Sequence, residues 1–148
     1  MTPAGGRWPR LDPAWLVVLA GVSAALHVGK LPPALPVLRD ALGVTLLQAG
    51  FLLSAVQVAG MTLGLLIGRL ADGMGLRRSM LAGLGVLAAT SGLGALATGP
   101  QALLLLRAVE GLGFLMVILP APSMVRRLVA PERMSRVLGW WGGYMPLG

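Results

Sequence analysis

Four ionisable side chains interrupt otherwise oily stretches of this sequence: His27 and Lys30 in one, Arg107 and Glu110 in another. Such groups are expensive among apolar neighbours, and they face a cavity, an opposite charge or the membrane interface. Each pair is spaced i, i+3, so one helix face would carry both members. Two plainer readings compete with a functional one. Lys30 can snorkel toward headgroups on its long stem, and His27 can bond a neighbouring helix as polar glue. A second constellation is Asp72, followed closely by Arg77 and Arg78 with Gly73 and Gly75 between them. Two glycines at that spacing predict a tight turn that returns the carboxylate toward the arginines. A constrained charge cluster of this kind suits a latch.

Other chemistry is missing. The chain has no Cys and one His, which removes disulfides, thiolate metal sites and His-rich zinc sites; no metal or cofactor is expected. Paired carboxylates, a His/Asp cluster and a Ser beside a base are all lacking, so an enzyme is not expected.

The elements that hold these residues follow from composition. Of 148 residues, 56% are hydrophobic and 11% charged, and mean hydropathy is +0.82. Soluble domains carry about 25% charged residues. Disorder needs low hydrophobicity, and so is excluded with them. Residues 41–68 and 79–106 contain no charge at all. A span needs about 20 apolar residues. The pattern therefore predicts an all-α membrane protein with helices at about 14–37, 46–70, 80–97 and 102–125, and a fifth starting near 137. The first ends in Pro32, Pro33 and Pro36, and the third is stopped by Thr98-Gly99-Pro100-Gln101. Residues 1–13 form an N-terminal segment before the partial transmembrane half at 14–148. Because the fifth stretch breaks off at Gly148, the chain is expected to be a fragment of a longer protein.

The net charge of +7 is a topology signal, not a nucleic-acid footprint. Arg7 and Arg10 precede the first helix; Arg69, Arg77 and Arg78 follow the second; Arg126, Arg127, Arg133 and Arg136 follow the fourth. The other side has only Arg39. The positive-inside rule makes the N-terminus and both Arg-rich loops cytoplasmic. A cleaved signal peptide is the competing view of the N-terminus, but the apolar stretch runs past Ser23-Ala24-Ala25 long enough to span. With this orientation, Lys30 lies ~24 Å and His27 ~20 Å from the inner end of the first helix. Arg107 and Glu110 lie ~8 Å and ~12 Å below the outer end of the fourth. The two pairs share a depth. Gly60, Gly64 and Gly68 form a smooth ridge on the second helix, and Gly111 offers another small packing position on the fourth.

The string Gly68-Arg69-Leu70-Ala71-Asp72-Gly73-Met74-Gly75-Leu76-Arg77-Arg78 resembles the signature loop between helices two and three of the major facilitator superfamily. Gly73 and Leu76 depart from it, each in place of a basic residue. Leu103 to Gly113 resembles the family's fourth-helix pattern Leu-x-x-x-Arg-x-x-Gln-Gly-x-Gly, with Glu110 where Gln is usual. Leu119-Pro120-Ala121-Pro122-Ser123, with Gly139-Trp140-Trp141, is similar to the cyanate and nitroimidazole permease branch.

The resemblance implies the N-terminal part of a twelve-helix fold: four helices plus the start of a fifth, in the plasma (inner) membrane. It implies a secondary transporter of a small solute by alternating access, with Gly68, Asp72, Gly75, Arg77 and Arg78 in a cytoplasmic gate loop. In that fold the first and fourth helices line the central cavity, so His27, Lys30, Arg107 and Glu110 would meet there. Glu110 would neutralise one cation, most simply Arg107. An uncompensated Lys30, with His27 near its switching pH, would leave the pocket positive. A small anionic or polar substrate follows, with His27 or Glu110 as a proton site. The other partners implied are the lipid bilayer and the missing C-terminal half, and no nucleic acid. The alternative is a four-helix membrane scaffold assembling through its glycine ridge.

Overall fold

The computed structural model describes residues 12–147, so Arg7 and Arg10 lie outside the described residues. Every regular element among the described residues is helical. The first helix, α1 (Pro13–Gly29), opens on Asp12, whose carboxylate accepts the Ala14 N–H at 3.1 Å. Pro13 sits at the first helical position, where no N–H is needed. Lys30 follows, and α2 (Leu31–Leu42) then continues the path to Gly43. The prolines near residues 32–36 thus restart a helix instead of ending one. Pro32 and Pro33 fall in the first turn of α2, where a missing donor costs nothing.

The next helix, α3 (Leu46–Met74), starts with a reciprocal capping box between Thr45 and Gln48. It runs past the expected end at 70, which places Asp72 and Gly73 inside its last turn. The reversal falls on Gly75 alone, at φ +88°, a backbone region that favours glycine. Immediately after it comes α4 (Leu76–Gly94), four residues earlier than the charge pattern suggested. The expected fourth helix is two segments, α5 (Pro100–Ile118) and α6 (Ala121–Leu128), parted at Leu119 and Pro120. Then come α7 (Pro131–Gly142), starting well before 137, and the short α8 (Tyr144–Leu147).

Among the described residues, three stretches are long and apolar enough to cross a membrane: Pro13–Leu42, Leu46–Met74 and Pro100–Leu128. The sequence led us to expect four. The helix left out is α4, whose Arg77, Arg78, glycines and hydroxyl residues lower its hydropathy.

The hub of the bundle is α5, which packs most extensively on α4 and α3. The main core gathers Val17, Val18, Ala24, Leu87, Phe114, Val117, Val125 and Trp141. A smaller one, built on Leu31, Val44, Ala49 and Leu52, sits where α2 meets α3.

Two helix backbones approach closely where Gly83 on α4 meets Gly113 on α5. A Cβ on Gly83 would lie 2.6 Å from the Gly113 carbonyl oxygen. Here Ser79, fully buried, also donates to the Met116 carbonyl at 3.0 Å. The expected ridge behaves differently. Gly60 meets only the Leu115 side chain, at 3.6 Å, and a Cβ on Gly64 or Gly68 would touch nothing within 4 Å. Gly111 is buried within α5. Tight packing therefore belongs to α4–α5, not to the ridge. Gly83→Ala should lower stability in detergent by about 1–3 kcal/mol, the usual range for overpacking. Gly64→Ala, in open space, should be neutral or slightly stabilising; equal thermal unfolding of the two variants would contradict this packing.

Candidate functional site

The site grows from the break at Lys30. In a continuous helix the Val28 carbonyl accepts from the N–H four residues on, which is position 32. Proline there has no N–H, so that bond cannot form. The Gly29 carbonyl loses its donor to Pro33 in the same way. These carbonyls end α1, where the helix dipole is negative and a cation is favoured.

Arg107, reaching over from α5, answers this need. Its Nη2 donates to the Val28 carbonyl at 3.1 Å and its Nη1 to the His27 carbonyl at 2.9 Å. Nε donates to the Leu52 carbonyl of α3 at 3.2 Å. Arg107 is only 3% exposed, and its charge is compensated by Glu110 Oε2 at 2.6 Å. One guanidinium thus ties three helices together. Arg is suited to this, since it offers several donors in a fixed planar fork.

Glu110 is shared. While Oε2 takes Arg107, Oε1 takes Lys30 Nζ at 2.7 Å, and Lys30 Nζ also donates to Ser91 Oγ of α4 at 2.8 Å. The arrangement leaves no buried side-chain polar atom without a partner among the described residues. Lys30 is therefore not the uncompensated cation expected from sequence. The three groups keep one net positive charge, spread over a bridged cluster with no free ion. The Lys30 side chain remains 43% exposed, and it opens on a cleft of about 310 Å³ between α2, α3, α4 and α5.

His27 contributes its backbone, not its ring. Nδ1 donates to the Ser23 carbonyl of the same helix at 2.8 Å, and the side chain does not line the cleft. The expected meeting of four ionisable side chains is thus a meeting of three. The polar wall also includes Ser91, which sequence reasoning missed; a lone serine among small residues carries no signal without its partner.

At the opposite end, Asp72 is exposed and forms no ion pair with Arg77 or Arg78 among the described residues. The predicted pairing required a turn at Gly73, and the helix carries Asp72 and Gly73 past that point. Gly64, Gly68 and Asp72 instead border a cleft of about 330 Å³ with Leu119, Pro120 and Ser123.

An ion pair does exist near this end, between Asp12 Oδ2 and Arg133 at 2.8 Å, linking the start of α1 to α7. The Ala14 N–H, and then Arg133, hold the Asp12 carboxyl below its ordinary value of 3.8. A depressed folded pKa stabilises the fold fully above the unfolded value, and the gain is lost as pH falls through the folded one. Asp12→Asn should therefore flatten the part of the acid unfolding profile below pH 3.8. An unchanged profile would remove Asp12 from it.

Long apolar helices around a hydrogen-bonded ionic cluster define a multi-pass membrane protein. Its family is shown by comparison: the model of the Major Facilitator Superfamily matches residues 17–148. The chain belongs to that superfamily, whose members are secondary transporters of small molecules and not enzymes. No curated protein and no solved structure matches the chain.

Proposed function

We propose that the chain is the N-terminal part of a secondary transporter working by alternating access, with Lys30, Ser91 and Glu110 holding a small anionic or polar solute. One observation carries this reading. The Lys30 ammonium, half exposed on a cleft among apolar helices, is held 2.7 Å from a carboxylate that a second cation already occupies. Glu110 can thus yield Lys30 to an incoming anion while keeping Arg107. Glu110 is also the proton site of this reading, since a proton on it loosens its hold on Lys30. His27 has no part in it, with its ring committed to Ser23.

In this reading α4 is the third of four crossings. Its 19 residues reach about 28 Å at 1.5 Å per residue. Of its glycines, Gly83 packs against α5. The arginine bias then puts the N-terminus, the Gly75 turn and the α6–α7 segment in the cytoplasm of a plasma-membrane protein. Asp72, Arg77 and Arg78, all exposed around Gly75, serve as one face of the inner gate. The finer branch proposed is that of the cyanate and nitroimidazole permeases, supported by the strings at 119–123 and 139–141.

The test is uptake of labelled anions by the whole transporter in proteoliposomes. Lys30→Gln should lower uptake at least tenfold with insertion unchanged. Normal uptake by both Lys30→Gln and Glu110→Gln would end the proposal.

A further inference from the structure

The cleft beside Lys30 has one cationic corner and an oily remainder. An ammonium has three donors. Lys30 spends one on Glu110 and one on Ser91, so one is left. Ser91 Oγ accepts from Lys30, and its own hydroxyl hydrogen meets no described acceptor. Two donors therefore converge at the same corner. Away from it the walls are Leu31, Leu38, Leu52, Leu103 and Leu106, with Thr90, whose hydroxyl already donates to the Val86 carbonyl at 2.8 Å.

Resting on the solute site proposed above, we infer that its ligand is a monocarboxylate with a compact apolar body. The carboxylate sits on Lys30 Nζ and Ser91 Oγ, and the body lies against the leucines. Charge selects one negative group. Lys30, Glu110 and Arg107 together carry one excess positive charge, which a single carboxylate cancels. A second anionic group would be desolvated without a partner, and a cation would be repelled. Polyols are rejected by the walls, because buried hydroxyls would go unbonded. A bare inorganic monoanion satisfies the corner and leaves the leucine-lined space unfilled. The cleft, at about 310 Å³, lies at the small end of ligand pockets, which run from about 300 to 1,000 Å³. A cleft of that size suits a short branched chain or one ring.

Thermal unfolding and equilibrium binding of the full chain in detergent test this with benzoate and isovalerate, their isosteric amides, and cyanate. The carboxylates should bind saturably and raise the unfolding temperature. Amides should bind at least tenfold more weakly, because they leave the positive charge unmatched. Lys30→Gln should abolish binding, and Ser91→Ala should weaken it about tenfold, the scale of one charge-assisted hydrogen bond. Leu106→Asn, which leaves the charged corner intact, should weaken benzoate and not cyanate. If cyanate binds as tightly as benzoate and only Lys30→Gln affects it, the apolar body is wrong and the anion site stands. If no anion binds the folded protein in a Lys30-dependent way, the ligand assignment falls; uptake in the variants above then decides the transporter reading separately.

Discussion

Arg107→Ala is expected to cost about 3–5 kcal/mol of stability, as does breaking a buried ion pair by removing one member. Three backbone carbonyls, at His27, Val28 and Leu52, lose their bond from Arg107 at once. Lysine should rescue little, since one ammonium cannot span three carbonyls and a carboxylate. The telling partner is Pro32. Alanine there returns an N–H to position 32, and the Val28 carbonyl regains the helical bond that proline denies it. The loss from Arg107→Ala should then shrink by about 1 kcal/mol in the Pro32→Ala background, roughly one hydrogen bond. Denaturant or thermal unfolding of the four proteins in one detergent measures this. Additive effects, within about 0.5 kcal/mol, would mean that Arg107 and the proline break are energetically separate.

That coupling marks where reading the sequence stops. Arg107 and Glu110 declare themselves, because charge in an apolar run needs a reason. The three prolines also signal a disturbance, but a terminating helix and a restarting one look alike until the path beyond Pro36 is known. What links the two features is a contact between positions 28 and 107, and no local pattern encodes it. The same holds for Lys30. Its depth near that of Arg107 was legible from helix rise, whereas the sharing of Glu110 depends on how α1 and α5 face each other.

Glycine misled for a different reason. With 22 in the chain, regular spacing arises easily, and the ridge at positions 60, 64 and 68 stands out more than the isolated pair that actually touches. Gly83 and Gly113 lie on different helices, so their meeting has no spacing to read. Asp12 and Arg133 are likewise far apart in the chain. The capping box of Thr45 and Gln48, by contrast, involves residues only three apart, because a cap is a local arrangement.

Glu110 stands where the family pattern has glutamine, and the structure supplies a reason for the exchange in Lys30. Two cations meet at this position, and an amide can offer them only one oxygen. Glu110→Gln should therefore destabilise the chain by about 3–5 kcal/mol, because Arg107 and Lys30 are left as neighbouring uncompensated charges. The amide nitrogen would also point at a donor, whichever way the group is turned. If Lys30 is what demands the carboxylate, removing it should restore balance. Lys30→Met keeps the stem and takes away the ammonium, so the double variant Lys30→Met/Glu110→Gln returns the cluster to its original single positive charge. It should recover at least half of the lost stability, although Lys30→Met alone gains nothing. Unfolding at two salt concentrations checks the origin of the effect, since a buried charge imbalance is screened little by added salt. A double variant no more stable than Glu110→Gln would show that the carboxylate serves Arg107 alone, and that Lys30 is an incidental neighbour.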